Sequence, residues 1–322
     1  MAGARLVRGI SPDEPYPYVK IVAVMQPARA IRTPLALAAA VLGVLLATLA
    51  VPSAQAQQPD PQHDYYQIPQ GCAGPARTAP QSPVGCRLTP WEPHRPIVVL
   101  WGDSHAWQNI PALITAAKAE NVNFTAFVMG KCPPSLIRIQ ARYPGQCERS
   151  NALALKYVRD SARRRQPVQV ILGSHWAGFA QKVAEFERTG VPPEGYDEFD
   201  MRMLKLFRDH TAKLFPALLR TRAQLAMISQ TATCEKRINQ APLRCSQPRH
   251  QAILHEGKTR RSLARLSHNA PQIDLNKLFC GPAKCRGKVG DDYVFWDWGH
   301  LSKTVDYKLA PYFRPLLHDL RD

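Results

Sequence analysis

Val98-Val99-Leu100-Trp101-Gly102-Asp103-Ser104-His105-Ala106 is an apolar, β-branched run that stops at a glycine and passes into residues that begin helices. A short continuous apolar run fits a strand buried on both faces, as in a parallel sheet, and Asp and Ser are favoured where a helix starts. Downstream the same rhythm recurs. Ile97 to Trp101 is followed by a helical pattern to about Glu120, then Phe124 to Met129, a helical stretch from about Glu148 to Arg164, and Val168 to Leu172. Glu185 to Gly195 reads as an irregular insertion, Asp197 to Arg220 as a long helix kinked or broken at Pro216, and Leu225 to Ser229 as a fourth strand. A helix near Gln251 to Leu266, a fifth short strand at Gln272 to Leu275 and a C-terminal helix from Ser302 to about Leu317 complete the pattern. This alternation predicts an α/β fold, a three-layer α/β/α sandwich whose central, mostly parallel sheet has about five strands. No internal repeat is visible.

Upstream, residues 57 to 95 are rich in Pro, Gln and Gly without hydrophobic periodicity, and read as an extended lead-in to a folded domain over 96–322. Residues 1–56 hold the one strongly apolar run, Leu35 to Val51, with Arg29 and Arg32 before it and Ser53-Ala54-Gln55-Ala56 after it. A basic flank, an apolar stretch and a small-residue cleavage site make a secretory signal; an uncleaved membrane anchor is the alternative, and both place the remainder outside the cytoplasm. Either Met25 is the true start or the residues before it are a short cytoplasmic tail. A single run excludes a multi-spanning membrane protein, and 322 residues with 45% hydrophobic and 21% charged content exclude a disordered or collagen-like chain.

The formal net charge is +17. Residues 1–56 contain five basic residues (Arg5, Arg8, Lys20, Arg29, Arg32) and two acidic ones (Asp13, Glu14), so the remainder keeps +14. Such a surface attracts anionic glycans, lipid headgroups or nucleic acid, and export removes nucleic acid as a partner. The densest basic cluster, Arg163-Arg164-Arg165, reads as a solvated helix end complementing the helix dipole.

The eight cysteines fall into neighbouring couples, Cys72 with Cys86, Cys132 with Cys147, Cys234 with Cys245, and Cys280 with Cys285. In an exported chain an even count implies disulfides, and short loops between neighbours favour local staples. None of the spacings is the CxxC of a zinc ribbon or redox site, and neither a metal nor a cofactor is expected.

Ser104, at the carboxyl end of the first strand and the first turn of a helix, has the setting of a nucleophile, with free backbone N–H groups and the positive helix end beside it. Taken alone, Asp103 and Ser104 read first as a helix cap. The far end of the chain changes the balance: Tyr293-Val294-Phe295-Trp296-Asp297-Trp298-Gly299-His300-Leu301-Ser302. An Asp three residues before a His can orient one ring nitrogen while the other takes a proton from a serine.

These two blocks resemble the first and last blocks of the SGNH (GDSL-type) hydrolases, most closely the SGNH domain fused to membrane-bound acyltransferases of the acyltransferase-3 family. Cys132-Pro133-Pro134, the strand ending Gly173-Ser174-His175-Trp176, and the Cys280 to Cys285 hairpin resemble the same subgroup, over about Pro96 to the C-terminus. The resemblance implies a flavodoxin-like fold, Ser104 as nucleophile, His300 as general base and acid, and Asp297 as orienting carboxylate. It further implies an oxyanion hole from the N–H groups of Ser104 and Gly130. A third block normally supplies an Asn, but here Ser174-His175-Trp176 stands in its place, so His175 and Trp176 are assigned to the substrate cleft, with a packing role as the alternative for His175. His105 supports the site without a chemical role.

An acyl-serine formed this way is released to water by an esterase or to a sugar hydroxyl by an O-acyltransferase. The resemblance implies O-acetylation chemistry on acylated cell-envelope glycan, in the periplasm or outside the cell, with membrane contact only through the N-terminal segment. With no multi-span domain in this sequence, a separate membrane acyltransferase is the expected partner of a transferase, and none is needed by an esterase. A glycan-binding module without turnover, or a basic envelope adhesin or anchor, are the competing classes.

Overall fold

The computed structural model describes residues 63–69, 72, 85–136, 144–193, 196–234 and 245–320. The apolar run Leu35 to Val51, its cleavage motif and Met25 lie outside them. One sheet is built from β1 (Cys86–Arg87), β2 (Ile97–Gly102), β3 (Asn123–Val128), β4 (Val168–Gly173), β5 (Gln224–Ile228) and β6 (Gln272–Ile273), in the spatial order β1-β3-β2-β4-β5-β6. Only the β1–β3 pair is antiparallel. Every residue of β2, β3 and β4 is buried, which is why these strands are predominantly apolar.

Alternation along β2 divides the core. Val98 and Leu100 pack with Phe124 and Val128 against α2 (Ile110–Ala119) and α8 (Ala310–His318), through Leu113, Phe313 and Leu317. Ile97, Val99 and Trp101 face the other way, toward Leu155 and Val158 of α3 (Pro144–Arg163) and Leu214, Phe215 and Leu218 of α5 (Glu198–Leu219). These are the three layers of the expected α/β/α sandwich.

The sheet has six strands where about five were expected. The extra strand, β1, lies in the lead-in: two residues carry no periodicity, and only pairing with the edge of β3 makes them a strand. The lead-in also contributes Ile68 to the core, and Asp64 accepts from the Thr304 amide at the start of α7 (Lys303–Tyr307). The segment expected to be irregular from Glu185 is helical as far as Thr189, the end of α4 (Trp176–Thr189), because Phe179 and Val183 bury an apolar face against Met201 and Leu204. That helix stops at Gly190, whose φ of 70° is the left-handed conformation glycine adopts freely. Pro216 sits within α5 without ending it. The stretch expected as one helix near Gln251 to Leu266 is split, with α6 (Glu256–Leu266) starting after His255 at φ 49°.

The close approach of the ends of β2 and β4 under α1 (Ser104–Trp107) depends on two glycines in register, Gly102 and Gly173. A Cβ on Gly102 would stand 1.7 Å from the Gly173 carbonyl oxygen, and one on Gly173 would stand 3.0 Å from the Ala106 methyl. The strands can therefore close beneath the turn that carries Ser104. Each neighbouring cysteine couple is bonded: Cys72–Cys86, Cys132–Cys147, Cys234–Cys245 and Cys280–Cys285. Among the described residues no helix is long and apolar enough to cross a membrane.

Candidate active site

Ser104 opens α1 at the carboxyl end of β2, so its N–H has no intrahelical acceptor. Asp103 caps this helix, accepting from the His105 amide at 2.7 Å. Its other oxygen takes the Ser174 hydroxyl at 2.5 Å and the His175 amide at 3.0 Å, which ties the end of β2 to the end of β4. Burial raises the Asp103 pKa, while these three donors and the nearby His300 oppose the shift.

The two sequence blocks meet, although 196 positions separate Ser104 from His300: His300 Nε2 lies 2.7 Å from Ser104 Oγ. On the other side of the ring, Nδ1 lies 2.7 Å from Asp297 Oδ2. Asp297 Oδ1 accepts from the Gly299 and His300 amides at 2.7 and 2.6 Å, so one carboxylate both closes the loop and orients the imidazole. Gln108 holds this loop against α1 by accepting from the Leu301 amide at 2.8 Å. Trp296 stacks on His300 with centroids 5.8 Å apart, Trp107 meets the same ring edge-on, and Tyr65 from the lead-in packs on Trp296 at 4.9 Å.

Gly130 lies in the turn after β3, and its N–H enters no hydrogen bond among the described residues. His175 faces inward: its ring stacks on His105 at 4.3 Å and lies flat against Gly178, where a Cβ would stand 2.2 Å from Nε2. It is buried, as is His105, which places both behind the open face of the site. Burial, with nearby cations, pushes the His105 pKa well below its ordinary value and that of His175 to about 3. Both rings are therefore neutral at pH 7, and the imidazole that reaches Ser104 is His300. Trp176 donates its indole N–H to the Ile228 carbonyl and lines a cavity of about 560 Å³ between α4, α5 and α6; neither Ser104 nor His300 lines it. Among the described residues no group of three or more His, Cys, Asp or Glu stands close enough to hold a metal ion.

Sequence reading gave no role to Ser174, Gln108, Trp107, Trp296 or Tyr65. Ser174 was within reach, because pairing Gly102 with Gly173 sets the following residues, Asp103 and Ser174, side by side. Gln108 was signalled only by being a polar residue among apolar ones.

Residues 71–315 match the family described as the SGNH domain fused to AT3 domains. The chain belongs to this SGNH family. That span takes in the Ser104, Asp297 and His300 blocks, all four cysteine couples and every strand of the sheet. No curated protein matches the chain. A solved structure, the periplasmic domain of the Salmonella ser. Paratyphi A lipopolysaccharide acetyltransferase, shares 13% identity over 69% of this chain and 84% of that one, with a TM-score of 0.47. So distant a likeness adds nothing to the family membership.

Proposed function

We propose that this SGNH protein is an exported serine-dependent acyl-ester enzyme, an O-acetyltransferase or acetylesterase acting on cell-envelope polysaccharide. The observation that carries the reading is the unbroken line from Ser104 Oγ through His300 to Asp297, each step 2.7 Å. In it, Ser104 Oγ attacks the ester carbonyl while His300 Nε2 takes its proton, and the Asp297 carboxylate stabilises the imidazolium that forms. The tetrahedral oxyanion accepts from the Ser104 and Gly130 N–H groups at the positive end of α1. Collapse of that intermediate expels the alcohol, which leaves with the proton from His300, and an acyl-serine remains. Water or a sugar hydroxyl, deprotonated by His300, then attacks the acyl-serine and frees Ser104.

The four disulfides fit an oxidising compartment and support export, with residues 1–56 as signal or anchor. The family's fusion to AT3 domains supports a membrane acyltransferase as the source of the acyl group in the transferase version.

The purified chain is expected to hydrolyse a chromogenic acetate ester and to gain one fluorophosphonate adduct, mapped to Ser104. Ser104→Ala is expected to abolish labelling and to lower kcat by about 10³-fold or more. An intact, folded protein that does neither overturns the enzyme reading in favour of a binding module. If added oligosaccharide diverts the acyl group from water, the transferase is chosen over the esterase.

A further inference from the structure

Trp298 stands in the chain between Asp297 and His300, and the residue is 42% exposed. Lys182 stands beside it, and Tyr196 links Lys182 to a second lysine, Lys131. Lys182 of α4 places Nζ 5.4 Å from the Trp298 ring and 5.2 Å from the Tyr196 ring, and Lys131 places Nζ 4.7 Å from the Tyr196 ring. Lys131 directly follows Gly130, the second oxyanion donor in the proposed mechanism, so the patch runs from that turn to the His300 loop. Its backbone has φ 57°, a left-handed conformation that a non-glycine residue adopts at a cost and that clusters at functional sites.

Lys182 is partly buried and forms no ion pair among the described residues; burial weakens its hold on the proton most, Glu185 opposes this, and the charge of Lys131 adds to it. Two ammonium groups on one patch, Lys182 partly buried and Lys131 exposed, attract an anion, and the partly buried one gains more from it. A flat indole beside them offers an apolar face to the C–H side of a pyranose. We infer that Lys131, Lys182, Tyr196 and Trp298 form a subsite for an anionic sugar ring of the glycan, adjoining Ser104. This inference rests on the proposed function for the position of the reacting ester. It supplies what that reading leaves open, namely that the recognised residue carries a carboxylate or a phosphate.

The test measures binding and turnover separately. Calorimetry on the full chain compares tetragalacturonate, a phosphorylated mannotetraose and neutral galactotetraose. At least one anionic probe is expected to bind about tenfold or more tightly than the neutral one, with a preference that shrinks as salt rises. Which anionic probe binds separates carboxylate from phosphate. Lys182→Met is expected to bring the preference below threefold and Lys182→Arg to retain it, with melting curves checking that both variants fold. Trp298→Ala, at an exposed position, is expected to weaken all three probes together. Equal binding of neutral and anionic probes, or a preference untouched by Lys182→Met, overturns the subsite. An anionic preference in a protein that hydrolyses no ester sinks the proposed enzyme and leaves the subsite standing; hydrolysis with no preference for anions does the reverse.

Discussion

Asp297 uses its two oxygens differently, Oδ1 for the Gly299 and His300 amides and Oδ2 for the His300 ring. An Asn at this position keeps a carbonyl oxygen for the amides but presents an NH₂ to the ring, which then carries its proton on the nitrogen facing Ser104. Asp297→Asn is therefore expected to leave stability within about 1 kcal/mol of wild type while lowering kcat by about 10⁴-fold, read from urea denaturation and ester hydrolysis side by side. A kcat loss below about tenfold would remove Asp297 from the proposed triad. At this scale sequence reading works where chemistry is encoded by residue type and close spacing, as in D-x-x-H. It does not reach Trp296 and Trp107 around His300, because an aromatic residue in a core and one packed on a base look alike until the rings are placed.

Among the elements, α7 is docked by a buried acid. Asp306 accepts from the Ala112 amide of α2 at 2.8 Å, its other oxygen has no partner among the described residues, and burial raises its pKa well above 3.8. Above about pH 4 the unfolded chain gives up this proton while the folded one retains it, so the fold loses up to about 1.4 kcal/mol per pH unit until the folded group also ionises. Asp306→Asn keeps the acceptor and has no proton to release. Its stability relative to wild type is expected to rise from about pH 4 to about pH 7 in urea denaturation; a difference independent of pH would mean the acid is ionised in the fold. Strands β2 to β5 were legible because short, mostly apolar runs rich in aliphatic and aromatic residues announce themselves. β1 was not, since its two residues gain strand geometry only from β3. The helix through Glu185 to Thr189 was hidden by its polar outward residues, with the burial that stabilises it supplied by Met201 and Leu204.

Across the whole molecule, the lead-in is a structural part of the site region. Cys72–Cys86 anchors it to the sheet edge, Ile68 fills the core, and Tyr65 backs Trp296, which stacks on His300. Closing a loop with a sequence separation of 14 is worth about 3 kcal/mol by restricting the unfolded chain. Replacing Cys72 and Cys86 together by Ser is expected to lower stability by about that amount in urea denaturation. Ester hydrolysis should fall with it if Tyr65 supports the His300 ring; full stability without the bridge would show the lead-in is held by packing alone. The sequence by itself determined the α/β class, the neighbouring disulfide couples and the excess of positive charge, and it picked out Ser104, Asp297 and His300 as candidates, because each follows from local pattern or side-chain chemistry. Tertiary structure alone decided that Ser104 and His300 come within 2.7 Å, that Asp103 and Ser174 lock two strand ends together, and that Lys182 and Trp298 share a surface. Those pairings join residues far apart in the chain, and only the register of the parallel sheet and the packing of helices upon it set their separation in space.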